Sequence, residues 1–340
     1  MYHHKKLLPS YHKWHFNSKN IDKMKNETTF INPLLCDPET GICELPAAEV
    51  ARTAETYKVN KPVKILYFTD PICSSCWGIE PQLRKLKLEY GDNIEIDYHM
   101  GGLLPDWSYN SGGISKPSDV AHHWDEASSY YDMPIDGDVW LEDPLNSSYP
   151  PSIAFKAAQL QDKNKAVLFM RELREMLFLQ KKNIEKLSNI LLAAEHTSLN
   201  PDQLREDMNG RAKELFEEDL RLARQLGVRG FPTIFFLNNS GERELVYGSR
   251  PYAEYEKAIH KIYPAALKKA YPADWKSLFS IYNSLTAKEF SVLSGIPRAE
   301  SEQVLDQLVE SKDLEKLSTK NGALWTYGRS VPAEQVRGNQ

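Results

Sequence analysis

The chemistry on offer begins with sulfur. The chain holds 4 cysteines, spaced as two pairs: Cys36 with Cys43, and Cys73 with Cys76. Cys73-Ser74-Ser75-Cys76 follows a short apolar run and opens an amphipathic stretch, so it reads as the junction of a strand and a helix. The first N–H groups of a helix lack partners and its dipole is positive there, which favours a thiolate. The Cys73 thiol is therefore expected below the reference value of about 8.5. Two intervening residues let the sulfurs close a disulfide across one helical turn, with Cys73 the exposed nucleophile and Cys76 the shielded resolving thiol. The same spacing also describes half of a zinc site or an inert structural pair. No second Cys-x-x-Cys completes four ligands, and the strand–helix context favours redox chemistry.

Cys36 and Cys43 flank Asp37-Pro38-Glu39-Thr40-Gly41-Ile42, a turn-forming sequence. Three readings stay open: an auxiliary redox pair or labile disulfide, two ligands of a zinc site completed by His3, His4, His12 and His15, or two unpaired thiols. Met24 is an alternative start that would remove those histidines. Pro232, in Gly230-Phe231-Pro232-Thr233, stands directly before a strand pattern, where a proline can take the cis form. His122-His123-Trp124-Asp125 fits no helical metal pair and reads as helix surface and core. Trp77 reads as packing for the active-site helix. Glu80 reads as an exposed helical charge, with a buried proton acceptor near Cys76 as the alternative.

Positioning these residues requires a particular order of elements. Val63–Phe68 is a buried strand pattern; Trp77, Ile79, Leu83, Leu86 and Tyr90 mark one amphipathic helix; Ile94–Tyr98 alternates as a second strand. That is a βαβ unit. Residues 118–226 read as mostly helical, over Ser152–Leu160, Lys165–Leu179, Glu185–Glu195 and Asp202–Leu226. A hairpin follows, Thr233–Leu237 and Glu244–Gly248 around Asn238-Asn239-Ser240-Gly241, and then a helix over Pro251–Tyr263. An α/β unit is thus opened, filled with a helical insertion, and closed. Residues 1–60 read as an arm. Residues 270–330 read as a small module with helices Trp275–Leu285, Ala287–Ser294 and one opened by Pro297, followed by a two-stranded wing at Leu314–Leu317 and Ala323–Tyr327. This outlines a winged helix-turn-helix.

Composition narrows the partners. A length of 340 residues suits about two domains. The net charge of −5 recruits neither nucleic acid nor an anionic membrane, and no apolar run approaches the roughly 20 residues of a membrane helix. The N-terminus lacks an apolar core and cleavage site, so export is not expected and the location reads as cytoplasmic. Arg298–Lys316 holds Glu300, Glu302, Asp306, Glu310, Asp313 and Glu315 against Arg298, Lys312 and Lys316. Phosphates would be repelled by that face, which argues against a DNA-reading role for the module and favours protein interaction or simple packing.

Phe68-Thr69-Asp70-Pro71-Ile72-Cys73-Ser74-Ser75-Cys76-Trp77, together with Gly227-Val228-Arg229-Gly230-Phe231-Pro232-Thr233, resembles the DsbA family of thioredoxin-fold proteins. Tyr149–Ala158 resembles the start of that family's helical insertion. The resemblance covers roughly residues 60–265. It implies an α/β thioredoxin fold with a helical insertion, a cis-proline at Pro232 beside the cysteine pair, and Phe231 offering backbone groups to an extended substrate. Two branches are similar: FrnE-like thiol–disulfide oxidoreductases of the cytosol, and YjbH/SpxH-like adapters that present a client to the ClpXP protease. The expectation is a cytosolic oxidoreductase acting on protein cysteines through Cys73 and Cys76, with the adapter as the alternative. No resident cofactor is implied beyond zinc in the arm. Ser74-Ser75 departs from the Pro-His of periplasmic DsbA, which implies a less depressed Cys73 thiol and a less oxidising pair.

Overall fold

A computed structural model describes residues 61–108 and 115–328, and the backbone of 36–37 and 42–44. The arm histidines and Met24 lie outside the described residues. Two short strands come first, β1 (Cys36–Asp37) and β2 (Ile42–Glu44). Then β3 (Val63–Thr69), α1 (Ser74–Gly78), α2 (Glu80–Tyr90) and β4 (Ile94–Met100) form the opening βαβ unit.

Seven helices follow: α3 (Pro117–Tyr131), α4 (Val139–Glu142), α5 (Tyr149–Gln161), α6 (Lys163–Gln180), α7 (Leu187–His196), α8 (Pro201–Met208) and α9 (Arg211–Leu226). The sheet resumes with β5 (Gly230–Phe231), β6 (Thr233–Leu237) and β7 (Arg243–Tyr247), and α10 (Tyr252–Ile262) closes the unit.

The main sheet runs β4-β3-β6-β7, with β3 parallel to β4 and antiparallel to β6. β3 is mostly apolar because both faces are covered; Ile65, Leu66 and Phe68 have no exposed surface. Phe68 pairs with Thr233, so the chain before Thr233, including Pro232, lies level with the end of β3 and the loop that leads to Cys73. Trp77 stacks on Phe178 of α6 with ring centroids 5.5 Å apart and donates from Nε1 to the Pro134 carbonyl. This locks α1 to the insertion, as its reading as packing required.

Four differences from the sequence reading have physical reasons. The single helix expected from Trp77 to Tyr90 breaks at Ile79 (φ −95°, ψ 2°). Pro81 has no N–H for the next helical bond, so it serves at the start of α2 instead. The helix expected over Asp202–Leu226 is two, interrupted at Asn209-Gly210, where Gly210 leaves the helical region. The helix expected over Trp275–Leu285 ends earlier, as α11 (Trp275–Ile281); burying Leu285 opposite Trp325 makes Ser284–Thr286 a strand, β8. With α12 (Ala287–Ser294), α13 (Arg298–Glu310), β9 (Glu315–Thr319) and β10 (Gly322–Thr326), the C-terminal sheet has three strands, ordered β8-β10-β9. Finally, the arm contributes two strands: β1 and β2 form a separate small sheet with β5.

The C-terminal helices sit on α2 and α6 through buried charges. Arg171 donates to both oxygens of Glu289 at 2.8 and 3.0 Å and to Glu175 at 2.7 Å. Arg84 lies 3.3 Å from Glu289 and donates to the Ser284 carbonyl at 2.7 Å. Glu289 is held below its ordinary value: burial opposes ionisation, but Arg171 and Arg84 outweigh it.

Candidate functional site

Cys73 is the N-cap of α1, in extended backbone, and its Sγ accepts from the Cys76 N–H at 3.2 Å. This is the interaction expected to favour a thiolate. Both cysteines are thiols. Both are also completely buried (0% exposed), and here the structure corrects the expectation of an exposed nucleophile. Burial pushes the Cys73 thiol well above its ordinary value, with Cys76 beside it adding to the rise. The expected lowering fails because the helix-terminus argument assumed solvent at the sulfur. Cys76 is held below its ordinary value: burial acts against it, but Cys73, Arg174, Thr69 and Tyr67 together favour its charged form.

The loop before Cys73 is fixed by Asp70. Its buried carboxylate accepts from the Ile72 N–H at 3.1 Å, the Leu103 N–H at 2.7 Å and the Ser148 hydroxyl at 2.9 Å. Burial nevertheless raises its pKa from 3.8 to about 6. Ser75, between the cysteines, accepts from the Tyr131 hydroxyl at 2.7 Å. The Tyr131 ring fills the place where a Cβ on Gly78 would stand, 2.4 Å from it, so α1 reaches α3 only with glycine there.

Arg174 was missed. It is wholly buried on α6, donating to Glu80 at 2.6 Å, to Thr69 Oγ1 at 2.7 Å and to the Asp70 carbonyl at 3.2 Å, and its positive charge favours both thiolates. A signal for it existed: Arg174 follows Met170 by four residues and precedes Leu177 by three, a charge on an apolar helical stripe. Glu80 is not exposed; it accepts from Arg174 at 2.6 Å. His122 and His123 pair with Glu126 on the surface, Trp124 is buried, and Asp125 accepts from Lys320 and Asn321.

The Phe231–Pro232 peptide bond is cis. Phe231 packs its ring into a space that exists only because residue 101 is glycine: a Cβ there would meet the Phe231 ring at 1.7 Å. The Gly101 N–H bonds to the Thr69 carbonyl at 2.8 Å, tying this contact to the end of β3. The other edge of β5 is taken by the arm: Cys43 pairs with Phe231 and Glu44 with Gly230, antiparallel. Cys36 faces Cys43 across the β1–β2 pair. The remaining zinc alternative needs the arm histidines, outside the described residues; among the described residues no cluster of three or more metal-ligating side chains occurs.

This arrangement of strand, cysteine-bearing helix, helical insertion, cis-proline and hairpin can now be set beside known proteins. A family model described as Thioredoxin matches residues 66–257. The chain is 33% identical over 302 residues to the ClpXP adapter protein SpxH of Halalkalibacterium halodurans, covering 87% of this chain and 98% of that protein. The chain belongs to the DsbA-like thioredoxin-fold family, in its SpxH branch. The same-named protein of Bacillus subtilis is 30% identical over 271 residues, covering 78% of this chain and 89% of its own length. Among solved structures, a putative protein disulfide isomerase from Nitrosomonas europaea superposes with a TM-score of 0.50 at 19% identity, covering 59% of this chain and 96% of its own; at that identity the likeness concerns the fold alone. Membership agrees with the thioredoxin-like order of elements described above. It extends beyond the DsbA-like part, since the alignment with the Halalkalibacterium protein exceeds the length of residues 60–265.

Proposed function

We propose that this chain is an adapter: it binds a client protein and presents it to ClpXP, with no obligatory redox turnover, in the cytoplasm. The observation that carries this reading is the state of the site. Cys73 has no exposed surface, and the β5 edge beside Pro232 already holds an extended strand. An edge that accepts a strand through main-chain bonds suits client capture, whereas a sealed sulfur suits turnover poorly. The near full-length relatives bearing the adapter name support the same choice over the oxidoreductase. The acidic face of residues 298–316 fits a protein partner rather than nucleic acid.

Proteome-wide half-lives in cells with and without the gene test this directly. At least one ClpXP-dependent protein should persist severalfold longer without the chain, and that protein should bind the purified chain at about one to one. Unchanged half-lives throughout would sink the proposal.

A second reading, thiol–disulfide exchange on protein substrates, is favoured by the Cys73 Sγ–Cys76 N–H bond and by the Arg174 charge. Cys73 attacks, Cys76 resolves, and Phe231-Pro232 frames the substrate in that reading. Reduction of a model protein disulfide by wild type, lost in Cys73→Ser, is its expected result.

A further inference from the structure

The arm strand does more than cover an edge. We propose that Cys36 and Cys43 are the built-in redox partner of Cys73 and Cys76: β2, docked on β5, offers Cys43 to Cys73, and the two pairs exchange one disulfide within the chain. This rests on the reading of the β5 edge as the docking edge.

Three placements support it. Cys36 and Cys43 are directly opposed in the β1–β2 register. Opposed residues of an antiparallel pair have Cα atoms about 4.5–5.5 Å apart, inside the roughly 4.4–6.8 Å a disulfide requires. Cys43 is also the residue in register with Phe231, immediately before the cis-proline, and β2 lies alongside α1, the helix capped by Cys73. Finally, Cys73 has no exposed surface, so a sulfur arriving from solvent meets a closed site while β2 already runs along its edge.

The exchange balances without an outside oxidant. Starting from a Cys36–Cys43 disulfide and a Cys73/Cys76 dithiol, the Cys73 thiolate attacks the Cys43 sulfur. The Cys36–Cys43 bond breaks, a Cys73–Cys43 bond forms, and Cys36 leaves as a thiolate that takes up a proton. The Cys76 thiolate then attacks the Cys73 sulfur, and Cys43 leaves and is protonated in turn. Two electrons pass from Cys73/Cys76 to Cys36/Cys43, and the two protons released by one pair match the two taken up by the other. In reverse, an oxidised Cys73–Cys76 pair discharges onto the arm.

Two full-length variants test the pairing. Cys36→Ser/Cys76→Ser leaves Cys43 with Cys73, and Cys43→Ser/Cys76→Ser leaves Cys36 with Cys73. Each is mildly oxidised with glutathione disulfide at several protein concentrations and read by non-reducing peptide mapping. The Cys43–Cys73 bond should form at least tenfold faster than Cys36–Cys73, at a rate independent of protein concentration. Equal rates, or bonds that form only between chains, overturn the proposal, as does stoichiometric zinc holding Cys36 and Cys43 in the purified native chain. A third variant keeps all four cysteines: Glu44→Pro places a residue without an N–H in the short strand β2 and should raise the alkylation rate of Cys73 at least tenfold. No rise contradicts the docked arm. None of these assays contains a client or ClpXP, so their failure leaves the adapter reading to its own test.

Discussion

At the residue scale, the cysteine pair is governed by burial and by one guanidinium. Arg174 stabilises negative charge on both sulfurs while holding Glu80 and the end of β3. Replacing it by methionine should raise the midpoint of thiolate absorbance by about one unit or more, and slow alkylation; Arg174→Lys, which keeps the charge, should recover part of the shift. Asp70 gives a pH signature. Its folded value, about 6, lies above the 3.8 expected unfolded, so the folded chain binds more protons between those values and stability falls as pH rises through them. The ionised carboxylate therefore costs about 3 kcal/mol above pH 6. Asp70→Asn should accordingly gain on wild type by ~2–3 kcal/mol between pH 4.5 and 7.5 in urea unfolding. An unchanged difference would contradict the assignment. The place of Cys73 and Cys76 at a strand–helix junction was legible because spacing and flanking pattern are local. Arg174 and Asp70 were not, because their partners, the Ile72 N–H apart, are 33 to 105 residues away and only the packed fold brings them together.

At the scale of elements, proline and glycine decide what reaches the site. Pro81 separates α1 from α2, leaving a five-residue helix whose cap is the cysteine. Gly101 admits the Phe231 ring beneath the end of the sheet. Gly101→Ala must displace that ring, an overpacking that should cost about 1–3 kcal/mol in denaturant unfolding. It should also loosen the β2–β5 pairing, seen as faster exchange of the Phe231 amide. Most strands and helices along 63–262 followed from periodicity with bounds moved by only a few residues, whereas α3, α4 and β5 had no bounds of their own in the pattern. The misplaced elements share a cause: hydrophobic pattern alone does not tell the tail of a helix from a buried strand. Leu285 is apolar in either, and its partner Trp325 decides the matter. The pairing of β2 with β5 was invisible for a similar reason, since a two- or three-residue strand has no period.

At the scale of the whole molecule, the C-terminal elements are joined to the thioredoxin fold by Arg84, Arg171, Glu175 and Glu289, all buried. Removing one member leaves uncompensated charge, so Glu289→Ala should cost about 3–5 kcal/mol. Glu289 has a depressed folded value, so its contribution is present above the unfolded value and is lost as pH falls through the folded one. The loss caused by Glu289→Ala should then shrink on acidification, as chemical unfolding at a series of pH values would reveal. This linkage sets the β5 strand and residues 298–316 on one packed framework. The most direct test of the account is the half-life of a ClpXP-dependent client in cells complemented with wild type or with Cys73→Ser/Cys76→Ser. The account predicts that both restore rapid degradation to within about twofold of each other. Restoration by wild type alone, accompanied by turnover of protein disulfides in vitro, would contradict it.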